Sequence, residues 1–445
     1  MRTFLTVALT KCVIKVSEHF KRGSTYPGKF ARTLNKNITK KVKLPKLVIA
    51  VTGSSGKGST SKMIALAYKK LGYSVAYNDR GSNVSDAVLT SIIKNANLFG
   101  KVKKDVAIFE VDERYAKYIF PYINPNYVVI TNITRDQPPR QGHYDIVFNE
   151  IKKALKPSMH LILNSDDPYL YKFNDPEYKI TYYGIDNYRY GKKKNDFHSL
   201  NMVYCPICGE KLKYEKYFIE NLGLFKCSKC SFKRKKPTYE LTKMNYVNRF
   251  MTINDTHVIY IKNTMLYNLY NTLAAYTTCA LNGLDELKVC QILSNMKNNR
   301  EVYNERFYKR RKIFILNNKN ENSSTFNQSM NYIYRHKGLK TIVIGWNEIS
   351  RRYKFNDLSW LYDIDFESLT HNKVDKIICV GTNQYDIATR IKQTGINQKK
   401  IFCFDNLELA KETILNNSKG NIFAVLNFDY LEPFNKILGG DSNGN

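Results

Sequence analysis

Residues 47–60 read LVIAVTGSSGKGST, and this stretch decides the fold. The first five residues form an unbroken apolar run, which is typical of a strand buried on both faces of a parallel sheet. Gly53, Gly56 and Gly58 then allow a tight turn that presents backbone N–H groups to an anion. A helix is predicted over residues 61–71, and its N-terminus favours phosphate. This order of strand, glycine loop and helix predicts a nucleoside triphosphate site.

The residues of this loop also supply the charge and the hydroxyls that bound ATP requires. Lys57 adds a fixed positive charge, and Ser59 and Thr60 offer hydroxyls to a magnesium ion. The alternative is a plain strand-to-helix turn. The order of strand, glycine loop, lysine and paired hydroxyls favours the ATP site over this alternative. The predicted ATP-contacting residues of the loop are Gly53, Ser54, Ser55, Gly56, Lys57, Gly58, Ser59 and Thr60.

The composition indicates a globular, strongly basic protein. With 445 residues the chain is long enough for two or three domains. Hydrophobic residues make up 43% and charged residues 24%, and the net charge is +31. Such a surface attracts polyanions, which include nucleic acid, an anionic membrane face and a pyrophosphate-bearing substrate.

Sequence features bearing on location favour the cytoplasm. No run of 18 apolar residues is present, so no transmembrane helix is predicted. The first 16 residues are interrupted by Lys11 and Lys15 and predict an amphipathic helix rather than a signal peptide. The nine cysteines are an odd number, which fits a reducing compartment better than a disulfide framework.

Acidic residues end the next apolar run, at residues 104–111. Glu110, Asp112 and Glu113 lie there, and a carboxylate at a strand end beside a phosphate loop is well placed to hold magnesium. Glu110 is the favoured ligand, together with Ser59; the alternative is that all three acids are ordinary exposed residues. Two more apolar runs lead into the polar loops 132–145 and 164–168. Together the runs predict a doubly wound parallel sheet.

A four-cysteine pattern predicts a zinc site. Two C-x2-C pairs are separated by 18 residues, and they can bring four thiolates to the corners of a tetrahedron about 2.3 Å from a zinc ion. Because all four ligands come from the protein, the site is expected to be structural. A nucleic-acid-binding ribbon is the alternative that its lysine-rich flank leaves open. The predicted ligands are Cys205, Cys208, Cys227 and Cys230.

The remaining chain predicts a helix and a second domain. In the helical stretch 265–283, Asn268 and Asn271 are candidates to bind the adenine edge, although helix capping explains either one equally well. Arg300 completes the predicted nucleotide-binding set. Five apolar runs after it predict a smaller α/β domain. The predicted division is a basic arm at 1–45, in which a helix is followed by a turn at 21–32, an ATP-binding domain at 46–300 with a zinc ribbon inserted at 201–236, and the α/β domain at 301–445.

Several separated stretches give the chain a specific resemblance. It resembles the MurT family, the synthase subunits of lipid II isoglutaminyl synthase, within the Mur ligase superfamily. The ribbon inside the ligase domain, combined with the D-x-S-W-x-x-D-x-D-F-E pattern, is the specific part of this resemblance. The matching stretches are KRGSTYPGKFAR at 21–32, the phosphate loop, RGSN at 80–83, FEVDE at 109–113, TNITRDQ at 131–137, LNSDDP at 163–168, the four-cysteine ribbon, YNLYNTLAAY at 267–276 and DLSWLYDIDFE at 357–367.

The resemblance implies an ATP-dependent amidating ligase. ATP would phosphorylate the α-carboxyl of D-glutamate in the stem peptide of lipid II, and ammonia would convert that acyl phosphate to D-isoglutamine. A separate GatD-like glutamine amidotransferase would release the ammonia, and Asp357 of this chain would complete the catalytic triad of that partner in a heterodimer. Lys57 and Glu110 would act with it as catalytic residues. No nucleic acid is expected, and the enzyme would work in the cytoplasm at the inner membrane face.

Departures from the family pattern keep two other hypotheses open. Gly58 separates the lysine from the hydroxyls as in folylpolyglutamate synthases, which add glutamate to a small acid. The stretches 351–356 and 319–325 also differ from the family sequence. The second alternative is a nucleic-acid-binding ATPase that uses the ribbon and the positive charge.

Overall fold

The described part of the chain covers most of both predicted domains. A computed structural model of the protein describes residues 1–20, 24–79, 83–134, 143–194, 202–296, 303–318, 323–346, 358–371 and 373–439. Arg300 and Asp357 therefore lie outside the described residues.

Helices and strands alternate along most of the chain. The α-helices in the described residues are α1 Arg2–His19, α2 Tyr26–Leu34, α3 Ile38–Lys41, α4 Lys57–Lys70, α5 Ser85–Asn95, α6 Ala116–Ile123, α7 Tyr144–Lys152, α8 Leu266–Leu281, α9 Glu286–Ser294, α10 Ser323–Arg335, α11 Gln384–Lys392, α12 Leu407–Leu415 and α13 Phe428–Ile437. The strands are β1 Leu47–Thr52, β2 Val75–Tyr77, β3 Val106–Glu110, β4 Tyr127–Ile130, β5 His160–Asn164, β6 Lys179–Ile185, β7 Lys213–Ile219, β8 Leu222–Lys226, β9 Tyr239–Asn245, β10 Phe250–Ile253, β11 His257–Tyr260, β12 Tyr303–Tyr308, β13 Arg311–Asn318, β14 Lys340–Gly345, β15 Val374–Val380, β16 Ile401–Phe404 and β17 Asn421–Asn427.

In the larger sheet the strand that leads into the phosphate loop lies between two parallel neighbours. The order of the sheet is β11-β10-β9-β6-β5-β4-β1-β3-β2, and β1 pairs in parallel with both β3 and β4. Residues 48–52 of β1 are buried, as the apolar run predicts. The parallel strands end at one edge of the sheet, so the loops that follow β1, β3, β4 and β5 meet there.

Helices cover both faces of this sheet. Apolar side chains of α4, α8 and α9 pack on one face, and those of α1, α2, α5, α6 and α7 pack on the other. The predicted doubly wound architecture is therefore confirmed. The hairpin β7–β8 forms a separate two-stranded sheet within the insertion between β6 and β9.

The second sheet forms the smaller α/β domain. Its order is β12-β13-β17-β14-β15-β16, and all its pairs are parallel except β12–β13. The helices α10 and α11 pack on one face, and α12 and α13 pack on the other. Each of the five predicted apolar runs is a strand, whereas β12 was not predicted. The two predicted domain boundaries and the limits of the inserted ribbon stay a prediction.

Two local predictions were wrong. Residues 21–32 were expected to form a turn, but α2 begins at Tyr26, because Pro27 stands in its first turn, where proline is compatible with a helix. The helix after the phosphate loop begins at Lys57, four residues before the predicted start. Among the described helices, none has the length and apolar content to cross a bilayer.

A buried ionic cluster attaches the insertion to the larger sheet. Arg234, which follows the fourth cysteine, donates from Nε to Asp166 Oδ1 at 2.6 Å. The other carboxylate oxygen of Asp166 accepts from the Ile185 backbone N–H at 2.7 Å and the Tyr270 hydroxyl at 2.9 Å. Asp166 is completely buried, and the Arg234 side chain is 13% exposed. The cluster therefore joins the insertion, β6 and α8 through one carboxylate.

Replacing Arg234 by alanine is expected to cost about 3–5 kcal/mol of unfolding free energy, because it leaves the buried Asp166 charge without its cation. Chemical denaturation measures the loss. The matched control is Lys243→Ala, which breaks the exposed pair with Asp255 and should leave the free energy of unfolding nearly unchanged, because solvent screens that pair. Equal effects of the two substitutions would contradict a structural role for the buried pair.

Candidate active site

The phosphate loop depends on two glycines in the left-handed region. Gly53 has φ 124° and Gly56 has φ 82°. A Cβ at Gly53 would lie 2.4 Å from Thr131 Oγ1, and one at Gly56 would lie 2.4 Å from Asn271 Oδ1. A side chain at either position would therefore strain the backbone and displace a neighbouring element.

The residues that follow β4 hold the loop in place. The backbone N–H groups of Ser54 and Ser55 donate to Asn132, at its carbonyl oxygen (2.9 Å) and its Oδ1 (3.0 Å). The Thr131 hydroxyl donates to the Ser55 carbonyl at 2.6 Å. The Ser54 hydroxyl donates to the Thr134 carbonyl at 3.1 Å. The first residues of the predicted polar loop after β4 therefore stabilise the phosphate loop through hydrogen bonds.

Lys57 is held between the loop and Glu113, an acid that follows β3. Its ammonium group lies 2.9 Å from Glu113 Oε2 and 3.1 Å from the Ser54 carbonyl, and it also donates to the Gly53 carbonyl. The Glu113 side chain is 1% exposed and that of Lys57 is 11% exposed. Glu113, which the sequence favoured less than Glu110, is thus the acid that fixes the lysine.

Glu110 lies against the first turn of α4, as a magnesium ligand beside Ser59 would require. Its Oε2 lies 3.1 Å from the position of a Cβ on Gly58, and its Oε1 accepts from Asn83 at 3.0 Å. Glycine at position 58 therefore leaves room for the carboxylate. Ser59 stands next to it, half-buried, in the same turn. Carboxylate and hydroxyl oxygens are the hard donors that magnesium prefers.

The two candidate adenine-binding asparagines contact different neighbours. Asn271 lies on α8 beside Gly56, and its Oδ1 accepts from the Thr60 hydroxyl at 3.3 Å. Asn268 donates from Nδ2 to the Asn263 carbonyl at 3.0 Å, within the turn before α8. Asn271 therefore lies at the phosphate loop, and Asn268 stabilises its own helix start. Their role in adenine binding stays a prediction.

A small pocket lies between the residues that follow β4 and β5, the hairpin, α8 and α10. It collects the acids Asp167, which follows β5, and Glu220, which forms the hairpin tip. Glu220 accepts from Asn327 Nδ2 at 2.7 Å and from the Ser324 hydroxyl at 3.2 Å. Both domains thus contribute to one pocket, the smaller one through Ser324 on α10. Its lining residues are Thr131, Asn132, Thr134, Asn164, Asp167, Tyr183, Glu220, Asn221, Leu222, Tyr267, Tyr270, Asn271 and Ser324.

Burial changes the acidity of both carboxyl groups. Loss of solvent raises the pKa of Asp167 to about 7, although the Tyr169 backbone N–H favours its charged form. Loss of solvent also raises the pKa of Glu220 to about 7, against the effect of its bonds from Asn327 and Ser324. Such groups exchange protons near neutral pH, which suits acid–base chemistry.

The four predicted metal ligands converge. Their Sγ atoms all lie within 4.8 Å of one another. The pairs Cys205–Cys230 and Cys208–Cys227 are each 3.5 Å apart, which is too long for a disulfide. A zinc ion with about 2.3 Å bonds to a tetrahedron of sulfurs requires edges of about 3.8 Å, so the cluster fits zinc. Backbone N–H groups of Ile207 and Lys229 also donate to cluster sulfurs.

Sequence reasoning missed part of this site. The acidic segment after β5 was noted, and Asp167 belongs to it, but Glu220 and Ser324 carry no local signal. Glu220 is one of many charged residues in a basic hairpin. Only the fold brings it next to α10.

Comparisons with known proteins give a consistent result. Residues 51–205 match the Mur ligase middle domain, and residues 320–430 match the MurT ligase C-terminal domain. The MurT subunit of lipid II isoglutaminyl synthase from Streptococcus pneumoniae is 30% identical over 94% of this chain and 92% of its own length. The Staphylococcus aureus subunit is 28% identical over 97% of both chains.

Solved structures share the fold. A pseudomurein peptide ligase type C from Methanothermus fervidus superposes with a TM-score of 0.68 at 24% identity, over 91% of this chain and 80% of that one. MurF from Acinetobacter baumannii gives a TM-score of 0.64 at 14% identity, over 92% and 80%. The Mur ligase-type fold is therefore confirmed.

Replacing Asp167 by asparagine is expected to flatten the pH dependence of stability. In the folded protein this acid keeps its proton up to about pH 7, whereas the unfolded chain loses it near pH 4. Stability is therefore lost as pH rises through that window. Between pH 5 and pH 8 the free energy of unfolding of the variant, measured by denaturant titration, should rise relative to that of the wild type by on the order of 2 kcal/mol. Exposed Asp255→Asn is the control, and parallel curves for Asp167→Asn and wild type would contradict the assignment.

Proposed function

Because this chain belongs to the MurT family of lipid II isoglutaminyl synthase subunits, we propose that it catalyses the ATP-dependent amidation of lipid II. The reaction converts the α-carboxyl of D-glutamate in the stem peptide to the amide of D-isoglutamine, in peptidoglycan synthesis. The observation that carries the proposal is the 30% identity to a MurT subunit over nine-tenths of both chains. The site geometry supports phosphoryl transfer independently.

The first step transfers the γ-phosphoryl group of ATP to the substrate carboxyl group. Lys57 and the N-terminus of α4 bind and orient the phosphates, and Glu113 keeps the lysine in the loop. Ser59 and Glu110 are the proposed magnesium ligands, and the ion supplies charge neutralisation at the phosphates. Gly58 keeps space for the Glu110 carboxylate. The remaining loop residues, with Asn268, Asn271 and Arg300, are proposed nucleotide contacts.

The second step takes place in the pocket beside the loop. The nitrogen of ammonia attacks the acyl carbon, the bond from that carbon to the phosphate oxygen breaks, and inorganic phosphate leaves. The nitrogen must then lose a proton. Glu220 and Asp167, whose pKa values are raised to about 7, are the proposed acceptors of that proton.

The proposed source of ammonia is a GatD-like glutamine amidotransferase that binds the smaller domain. Asp357 is proposed to complete the catalytic triad of this amidotransferase. In such a triad a carboxylate orients the imidazole that takes the proton from the thiol. The described chain resumes at Leu358, and buried Trp360 packs on Phe326 with ring centroids 5.1 Å apart. Exposed Tyr362 and Tyr385 line a surface depression next to Leu358. Exposed aromatic residues of this kind are frequent anchors of protein interfaces.

The proposed zinc ion is structural. It would bind the four clustered sulfurs and fix the base of the hairpin, whose tip carries Glu220 into the pocket. The enzyme would work at the cytoplasmic face of the membrane, where a lipid-linked substrate is exposed.

Lys57→Ala is expected to lower the amidation rate at least about 100-fold, because the loop loses the positive charge that stabilises the transferred phosphoryl group.

Asp357→Asn should abolish turnover with glutamine and spare turnover with ammonium chloride. The assay combines the purified chain, a glutaminase subunit, ATP and lipid II. Mass spectrometry of the stem peptide and phosphate release are the readouts.

The control for this assay is Lys70→Ala, an exposed lysine at the other end of α4. It should retain wild-type turnover. If the wild-type complex consumes no nucleotide, the proposed reaction is refuted. If Asp357→Asn loses turnover with ammonium chloride as well as with glutamine, the proposed role of Asp357 at the partner is refuted. Glutamate addition to a folate, or ATP hydrolysis that requires nucleic acid, would support the alternatives.

Cys205→Ser is expected to reduce bound zinc from about one ion per chain to none and to lower the thermal unfolding temperature, because three thiolates no longer complete the tetrahedron. Elemental analysis of the purified protein measures the metal. Cys12→Ser, at an exposed cysteine on α1, is the matched control and should keep the zinc. A wild-type protein without zinc would contradict the proposal.

A further inference from the structure

The first helix has an unusual exposed face. One side of α1 is buried against α2 and α5 through Thr6, Val7, Thr10 and Ile14. The opposite side is also largely apolar. The helix is 18 residues long, or about 27 Å at 1.5 Å per residue.

The exposed apolar residues of α1 and its two ends form one continuous row. Their spacing of three or four residues keeps them within a sector of about 100° on a 3.6-residue helix. The exposed fractions are 51% for Leu5, 48% for Leu9, 56% for Val16 and 66% for Phe20. Single exposed leucines are ordinary, but an aligned row is typical of an interaction surface. We call this row the α1 stripe: Met1, Leu5, Leu9, Cys12, Val16 and Phe20.

A neighbouring loop enlarges this apolar surface. The ring of Phe4 lies 5.7 Å from that of Phe99, which is 77% exposed. Leu98, beside it, is 41% exposed. Apolar side chains from two separate parts of the chain therefore reach solvent together at the start of α1.

The charge around the stripe is almost entirely positive. Residues 1–46 contain twelve lysines and arginines and one acid, Glu18. Glu18 is paired with Lys94 at 2.6 Å, so its charge is compensated. Exposed Lys15 lies on α1 itself, and exposed Lys101 and Lys103 follow the Phe99 loop. An anionic surface complements this pattern.

We propose that the α1 stripe docks on an anionic lipid bilayer, with α1 lying in the plane of the headgroups. Stable attachment to a membrane takes two signals, and this surface combines an apolar face with a basic border. The inference rests on the proposed function, in which the substrate is itself held in the bilayer. Docking then places the phosphate loop domain close to the stem peptide.

The test is cosedimentation of the full chain with vesicles. Vesicles contain either phosphatidylcholine alone or phosphatidylcholine with one-third phosphatidylglycerol. The wild type should bind the anionic vesicles and bind more weakly as salt rises. The double variant Leu5→Ser/Leu9→Ser should bind at least tenfold more weakly, with an unchanged thermal unfolding temperature because both side chains are exposed.

The matched control is Leu287→Ser/Leu409→Ser, at leucines that are 65% and 59% exposed on other helices. It should bind as the wild type does. The proposal would be overturned if the wild-type protein does not bind anionic vesicles, or if the stripe variant binds them as strongly as the wild type. Loss of glutaminase assembly in the stripe variant, without any vesicle binding by wild type, would assign the stripe to a protein partner instead.

A second readout separates this inference from the proposed function. The stripe variant should amidate a water-soluble stem peptide at the wild-type rate and lose turnover only on substrate embedded in vesicles. Vesicle binding without any amidation would refute the reaction and leave the docking surface standing. Amidation of embedded substrate by the stripe variant at the wild-type rate would refute the docking role.

Discussion

The close approach of the phosphate loop to the residues leaving β4 is the constraint on which the site depends. Gly53 allows this approach, since any side chain there would collide with Thr131. The parallel pairing of β1 with β4 delivers Thr131 and Asn132 to the loop, and their hydrogen bonds fix its backbone. The start of α4 and the position of Lys57 follow from that geometry.

The acids near this edge of the sheet are accommodated in different ways. Glu113 is neutralised by Lys57, and Asp166 is neutralised by Arg234. Asp167 and Glu220 instead favour the protonated form up to about pH 7. Ion pairing fixes the first two groups as structural parts, whereas the last two can gain or lose a proton near neutral pH. Burial raises the pKa of Asp166 as well, so it is the ion pair with Arg234, and not the direction of the pKa shift, that separates this supporting acid from the candidate reacting acids.

The insertion connects the two sheets rather than extending from the molecule as a separate module. Its base is attached to the larger sheet through Arg234, and its tip contacts α10 of the smaller domain through Glu220. The four clustered sulfurs lie between the base and the tip along the chain. A rigid insertion would thus set the width of the pocket, because Glu220 can face Ser324 only while the hairpin keeps its orientation.

The sequence by itself determined three features. These are the succession of strand, glycine loop and helix around the phosphate site, the buried strands of both domains, and the four converging cysteines. These features are local, since apolar runs, glycine spacing and C-x2-C pairs each act within a few residues. It did not determine α2, where Pro27 was read as part of a turn, or the strand β12. Tertiary structure alone decided three contacts. Glu113, and not Glu110, forms the ion pair with Lys57, Asn271 lies close to Gly56, and Glu220 accepts a hydrogen bond from Ser324. The reason is that these contacts join residues 56 to 215 positions apart, and their distances depend on how helices and sheets pack rather than on any pattern in the chain.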